Sequence, residues 1–164
     1  MFLCCQRPAV IADTSLMTED ELAELGYQFI EAVKRGDQAE VENMLAKGID
    51  VNSDNVRDGQ CGRKALGWAI DSGHLEIAKL LLKHKAKVDD IDVGDYWNLM
   101  LAVHLHTKDP AKCEQMIELL LANGQDVNFE DMYGKSALSE AVKVHESVDL
   151  ARFLMSNGAC VSAE

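Results

Sequence analysis

The order of apolar and polar positions predicts short amphipathic helices that occur in pairs. A first helix begins after Thr18, which has the T-x-x-E spacing of a capping box with Glu21. The apolar positions of this helix share one face: Leu22, Leu25, Phe29, Ala32 and Val33. Gly36 ends it, and Asp37 opens a second helix that runs to Gly48. A helix pair is therefore the first unit.

Three further pairs are predicted in the same order. Each first helix has a central alanine, and these are Ala32, Ala69, Ala102 and Ala141. Their spacing is close to a period of about 33 residues. In the third pair Pro110 is a favoured first residue of a helix, with Asp109 as its N-cap. In the fourth pair the apolar positions include Val142 in the first helix and Val148 in the second.

The connections between pairs carry the irregular features. Residues 49–52 and 126–128 are predicted to be extended, and residues 53–61 to form a turn or a β-hairpin. The connector from Asn52 to Gly62 is longer than the one that leads to Gly134. The third unit has extra residues around His104 to Lys112, which we expect to form a loop on the working surface.

These units resemble ankyrin repeats. Gly73 to Leu82, GHLEIAKLLL, is close to the family pattern, and D-V-N recurs at residues 50–52 and 126–128. The Leu and Ala of the T-P-L-H-x-A motif are kept in three units, whereas its Thr, Pro and His mostly are not. The resemblance implies an all-α solenoid of about four helix-turn-helix units joined by β-hairpin-like fingers. The expected boundaries are an N-terminal tail at 1–17 and a repeat domain at 18–164, with repeats at about 18–52, 53–89, 90–128 and 129–164.

Composition narrows the classes of partner. The chain has 164 residues and a formal net charge of −12. That charge disfavours nucleic acid and anionic membranes, which are bound by clustered Lys and Arg. It favours a basic protein partner instead. The five scattered cysteines have no C-x-x-C spacing, so we expect reduced thiols and a cytoplasmic protein, either in the producing cell or in a host cell.

The family binds proteins through a concave surface of fingers and first-helix flanks, and the resemblance implies the same surface here. The residues that we expect to contact the partner are Arg57, Trp68, Asp92, Asp95, Tyr96, Trp97, His104, Met132, Tyr133 and Lys135. Leu101 and Leu105 map to the same exposed helix flank. The aromatic residues have the most weight, because rigid aromatic side chains dominate binding hot spots. Trp97 also occupies a position that the family buries, so packing between repeats is its alternative role.

Catalytic chemistry has little support in the sequence. His104, His106 and Cys113 are a candidate metal set, with His145 as a fourth ligand, because imidazole and thiolate suit zinc. On a helix, however, H-x-H points the two rings in different directions. No nucleophile, phosphate-loop or dinucleotide motif occurs in the sequence. We therefore expect neither an enzyme nor a cofactor, and keep a metal-binding protein or an enzyme that uses His104, His106 and Cys113 as the alternative.

The sequence leaves the biological setting open. An intracellular adaptor, an effector delivered into a host cell and an immunity protein that neutralises a toxin all fit a small acidic repeat chain. A monomer is expected, with a dimer through Phe153, Leu154 and Met155 of the last unit as the alternative. Asn128 lies in a context that resembles sites of asparaginyl hydroxylation, and a hydrogen bond from its side chain to the hairpin is the alternative role. Cys4 with Cys5 resembles a weak acylation signal, and two unmodified thiols are the alternative.

Overall fold

The computed structural model describes residues 18–52, 63–88, 97–131, 133–143 and 146–160. Several predictions lie outside these ranges. They are the N-terminal tail with Cys4 and Cys5, the connector at 53–62 with Arg57, the finger with Asp92, Asp95 and Tyr96, and the residues Met132 and His145.

Helices account for most of the described residues. The first helices of the four pairs are α1 (Glu19–Arg35), α3 (Ala65–Asp71), α5 (Asn98–His104) and α7 (Ala137–Lys143). Their partners are α2 (Gln38–Ala46), α4 (Leu75–Lys83), α6 (Pro110–Ala122) and α8 (Val148–Ser156). A 3-10 turn, Leu105–Thr107, follows α5. The predicted all-α solenoid of helix pairs is confirmed.

The pairs stack into two layers with one continuous core. α3 packs against α1 and α5, and α5 packs against α7, so the first helices form one row. α4 packs against α2 and α6 in a second row. The largest side chains that are fully buried between the rows include Phe29, Ile70, Leu81, Met116 and Leu154. Because each pair buries its apolar face only against its neighbours, the array gains its stability from the stacking.

The helix starts are those that the sequence predicts. Thr18 and Glu21 form the complete capping box, with the Glu21 amide donating to Thr18 Oγ1 over 3.3 Å. Asp37 accepts from the Glu40 amide, and Asp109 accepts from the Lys112 amide with Pro110 as the first helical residue. Each of these side chains accepts a hydrogen bond from a backbone amide that has no partner within its own helix.

Two connections differ from the sequence prediction. Asp50-Val51-Asn52 is a turn and not an extended segment, because Asp50 Oδ1 accepts from the Asn52 amide over 2.9 Å. Asp126 and Asn128 make the same bond at 2.9 Å. The extra residues of the third unit do not form a loop either. They become the 3-10 turn, whose Leu105 is buried, and a longer α6 of 13 residues.

The ends of the second helices share one backbone conformation. Gly48, Gly124 and Gly158 have φ values of 86°, 96° and 94°. Lys85 takes the same place after α4 with φ of 70°. At the turn between paired helices, Gly36 and Gly73 have φ of 77° and 69°. Glu146 has φ of 47° before α8. A side chain in this left-handed region is strained, so Lys85 and Glu146 stand where glycine fits best.

Replacing Glu146 by Gly is expected to raise the free energy of unfolding by about 0.5–1 kcal/mol, because it removes left-handed strain. Urea denaturation of the two proteins measures the change. Glu114→Gly is the matched control, since Glu114 is exposed inside α6 and glycine there should cost about 1 kcal/mol. A loss of stability in Glu146→Gly equal to that in the control would contradict the prediction.

The last pair exposes apolar side chains. Val142 and Val148 are 54% and 62% exposed, and Met155 is 55% exposed. Leu154 is fully buried within its own pair and is not part of this surface. None of the helices in the described part of the chain is long and apolar enough to cross a membrane.

Candidate binding surface

The described part of the last finger, residues 130–131 and 133–136, is a tight turn that presents Tyr133. Asp131 Oδ1 accepts from the backbone amides of both Tyr133 and Lys135 over 2.8 Å. The Asp131 amide donates to the Lys135 carbonyl over 3.0 Å, and Glu130 forms an antiparallel bridge with Ser136. Tyr133 is 72% exposed, and Lys135 is also exposed. One aspartate therefore holds the turn that carries both predicted contact residues.

Trp68 lies on the first-helix row inside a group of alternating charges. Lys34 Nζ is 4.2 Å from the centroid of its ring, and the Arg63 guanidinium carbon is 4.8 Å from it. Lys34 pairs with Glu31 at 2.8 Å and Arg63 pairs with Asp71 at 3.2 Å. Cations over an indole ring are attracted to its face. Trp68 is thus half-buried under two side chains of its own chain, and its role in partner binding stays a prediction.

Trp97 is half-buried and packs between units. Its ring centroid lies 3.4 Å from that of Phe129, with a 44° angle between the planes. Its Nε1 atom is buried, and so is Gln125 Oε1; neither has a hydrogen-bond partner among the described residues. The ring, Gln125 and Phe129 line a narrow cavity of about 10 Å³. The role of Trp97 in partner binding stays a prediction.

His104 connects the first helices of the third and fourth pairs. Its Nε2 lies 3.0 Å from Glu140 Oε1, on a side chain that is 32% exposed. The neighbouring positions differ from the prediction, because Leu101 is 3% and Leu105 is 4% exposed. They are core residues that face the second pair, since Leu101 lies beside Gly67 and Leu105 beside Gly73. The helix flank of the third unit is therefore narrower than the resemblance implies.

A family model for ankyrin repeats in three copies matches residues 29–131. This range covers more than half of the chain, and it contains α2 to α6. The chain belongs to the ankyrin-repeat family. Ankyrin repeats are protein–protein interaction modules.

Curated proteins that are similar to this chain include larger proteins with ankyrin repeats. The nuclear factor NF-kappa-B p105 subunit of Gallus gallus is 35% identical over 123 residues, which are 74% of this chain and 12% of that protein. The neurogenic locus notch homolog protein 1 of Mus musculus is 32% identical over 160 residues, which are 93% of this chain and 6% of that protein. The acyl-CoA-binding domain-containing protein 2 of Arabidopsis thaliana is 50% identical over 52 residues, which are 30% of this chain and 14% of that protein. The chain thus spans a small part of each relative.

The alternative metal set is not assembled by the described part of this ankyrin chain. Cys113 is fully buried, and His104 contacts Glu140. No group of three or more His, Cys, Asp or Glu side chains in the described ranges could hold a metal ion. Burial raises the pKa of the Cys113 thiol from 9.0 to about 12, and the Glu114 charge adds to the rise. A buried thiol with a raised pKa stays protonated, and metals bind the thiolate, so Cys113 packs in the core and is a poor metal ligand.

Cys113 is expected to resist alkylation in the folded protein, at a rate at least about 100-fold below that of exposed Cys160. Iodoacetamide labelling followed by peptide mass spectrometry assigns each site, with urea-unfolded protein as the control in which both react. The raised pKa also makes stability depend on pH, because the Cys113 thiol ionises near pH 9.0 in the unfolded chain and only near pH 12 in the folded one. Its contribution to the free energy of unfolding is therefore fully present below pH 9.0 and is lost as the pH rises toward 12. Equal native labelling of both cysteines would contradict the assignment.

Asn128 crosses the boundary between the third and fourth units. Its Oδ1 accepts from the Cys160 amide over 2.8 Å, and its Nδ2 donates to the Gly158 carbonyl over 3.1 Å. Asn52 makes the equivalent bond one boundary earlier, accepting from the Lys87 amide over 2.9 Å. The side chain is therefore bonded to the next unit and not to its own hairpin, so an asparaginyl hydroxylase would have to open these bonds.

The sequence signals missed the charged surroundings of Trp68. Lys34 lies in the last turn of α1 and Arg63 lies just before α3, so the two residues are far apart in the chain. A repeat alignment would have placed both beside the same first-helix row. Their contact with one ring follows only from the stacking.

Proposed function

We propose that this chain is a non-catalytic binding module that holds a protein partner against its fingers and first-helix flanks. The observation that carries the proposal is Tyr133, 72% exposed on a turn that Asp131 fixes. A rigid aromatic side chain gives contact area with little loss of conformational entropy on binding. Trp68 and His104 supply the helix side of the same surface, and Trp97 supports it from the interior.

The charge of the chain supports a basic partner. Glu130 and Asp131 are adjacent to Tyr133 on the described finger, and the whole chain carries a net charge of −12. Such a surface steers a cationic protein toward it and weakens with salt. We place this binding in the cytoplasm, as an adaptor, a host-directed effector or an immunity protein, and the identity of the partner separates these settings. We propose a monomer, which light scattering measures directly.

Tyr133→Ala with Lys135→Ala is expected to reduce partner capture at least about tenfold, the effect of losing about 1.4 kcal/mol at a hot spot. Immobilised wild type and variant are incubated with the same lysate, and captured proteins are quantified by isotope-labelled mass spectrometry. Val148→Ala is the control, because Val148 is also an exposed apolar residue but lies on a second helix. Proteins that depend on Tyr133 and not on Val148 are the specific partners.

Equal capture by the wild type and the finger variant would remove the described finger from the binding surface. The same experiment with Tyr96→Ala and Tyr133→Ala extends the test to the preceding finger. A metal protein would instead show a stoichiometric metal by elemental analysis of the purified chain, whatever the fingers bind.

A further inference from the structure

A basic cluster interrupts the acidic chain at the end of α4. Lys83, His84, Lys85 and Lys87 are all exposed and lie within five consecutive residues. We call these four residues the basic elbow. None of the finger residues of the proposed function belongs to it, and the helix turns of the array lie at the opposite end of α4. In a protein with a net charge of −12, this cluster is a separate feature of the surface.

Two of the four residues replace the residues that other units have at the same place. Lys85 has φ of 70°, whereas the equivalent Gly48, Gly124 and Gly158 meet the same conformation without strain. Lys87 stands where Asp50 and Asp126 fix their turns by accepting a backbone amide. The second unit therefore has a lysine at each of two positions where the lysine weakens the local structure. Residues that break a local rule in this way mark functional positions more often than neutral ones.

Helix electrostatics account for part of the cluster only. Lys83 is in the last turn of α4, where a cation balances the partial negative charge of the helix end. That effect falls off within one turn, and Lys85 and Lys87 lie beyond the helix. Their charges are thus available to a ligand.

The basic elbow borders an open groove of about 330 Å³. Its lining residues are Leu82, Lys85, Ala86, Val88, Asn123 and Gly124, so it lies between the ends of α4 and α6. Leu82 and Val88 give the floor an apolar part. Asp50 and Asp126 lie in the equivalent turns after α2 and α6, and one carboxylate oxygen of each accepts a hydrogen bond within its own turn.

We propose that the basic elbow and this groove bind an acidic peptide segment of a partner protein, as a second interaction surface of the chain. Carboxylates of the segment meet the ammonium groups of Lys83, Lys85 and Lys87, and one apolar side chain enters the groove. Charge complementarity selects this occupant. A nucleic acid or an anionic membrane extends beyond the basic elbow and meets the acidic remainder of the chain, which repels it, whereas a short peptide segment lies on the basic elbow and the groove alone.

The test uses a fluorescein-labelled Glu-rich peptide with one Leu, and the same peptide with Gln in place of Glu, in fluorescence anisotropy titrations. The wild type is expected to bind the Glu peptide, with affinity falling as salt rises, and to bind the Gln peptide at least tenfold more weakly. Lys85→Gly with Lys87→Asp is expected to weaken Glu-peptide binding at least tenfold. These two substitutions restore the Gly and the Asp that the first and third units have at these positions, so the variant should melt at or above the wild-type temperature.

The charge control is Arg35→Gln with Lys108→Glu, which makes the same change in net charge at exposed positions near the helix turns. It is expected to bind the Glu peptide within about twofold of the wild type. Three results would overturn the proposal. The first is that Lys85→Gly with Lys87→Asp binds the Glu peptide as tightly as the wild type. The second is that the charge control loses as much affinity for the Glu peptide as that variant does. The third is that phosphatidylserine vesicles or an oligonucleotide bind through the elbow while the Glu peptide does not.

Discussion

Gly36→Ala is expected to lower the free energy of unfolding by about 3 kcal/mol, combining left-handed strain with overpacking. Gly36 has φ of 77°, and a Cβ built on it would lie 2.6 Å from His74 Cε1. The imidazole cannot simply move away, because its Nε2 contacts the Lys34 carbonyl at 3.1 Å. The substitution therefore acts on the boundary between the first and second units. Urea denaturation monitored by circular dichroism measures the loss.

Gly48→Ala separates the two causes. Gly48 has φ of 86°, but a Cβ there meets nothing within 4 Å, so strain alone is expected to cost about 1 kcal/mol. The difference between the two alanine variants is the contribution of the His74 clash. In a His74→Ala background, Gly36→Ala should cost clearly less than in the wild type. Equal losses for Gly36→Ala and Gly48→Ala would show that the ring yields without cost.

Leu81→Ala is expected to destabilise the protein by about 3–4 kcal/mol, the usual range for a truncated leucine in a packed core. Leu81 is fully buried in α4, and α4 packs against α2, α3 and α6. A defect there weakens the stacking on both sides of the second unit, so we expect the whole array to unfold earlier. Leu22→Ala is the control, because Leu22 is 43% exposed and its truncation should cost under about 1 kcal/mol.

Leu154→Ala tests how far such a defect spreads. Leu154 is also fully buried, but it belongs to the last pair, where α8 packs mainly against α7. Its loss is expected to open that pair while the first three remain folded. Hydrogen exchange read by mass spectrometry distinguishes the two outcomes. Faster exchange in α1 and α2 after Leu154→Ala would mean that the array opens as one unit.

Local rules in the sequence account for the helix boundaries. Thr18, Asp37 and Asp109 each bond an amide three residues ahead, so the signal and the structure lie within one turn of helix. Periodicity likewise predicts the buried face of α1, where Phe29, Ala32 and Val33 lie in the core. The repeat pattern then supplies the stacking order, which no single helix encodes.

The features that the sequence did not predict depend on contacts between residues that are distant in the chain. Leu105 is apolar and lies in an insertion, and only the packing of the 3-10 turn shows that it belongs to the core. Val142 and Val148 have helical spacing but lack a covering unit among the described residues. On the candidate surface, the position of Tyr133 depends on the nearby Asp131, which accepts a hydrogen bond from its amide. The cations around Trp68 instead come from two different units, so no local pattern predicts them.

The positions of Trp68 and Trp97 determine what intrinsic fluorescence reports. They are the two tryptophans of the sequence, one in the second pair and one just before α5 of the third. Trp68 lies beneath Lys34 of the first pair, and Trp97 lies against Phe129 at the start of the last unit, so each emission spectrum depends on one end of the array. Opening of the first pair takes Lys34 away from Trp68, and opening of the last unit takes Phe129 away from Trp97. A fluorescence melt that precedes the circular dichroism melt would therefore record the ends of the array separating before its middle.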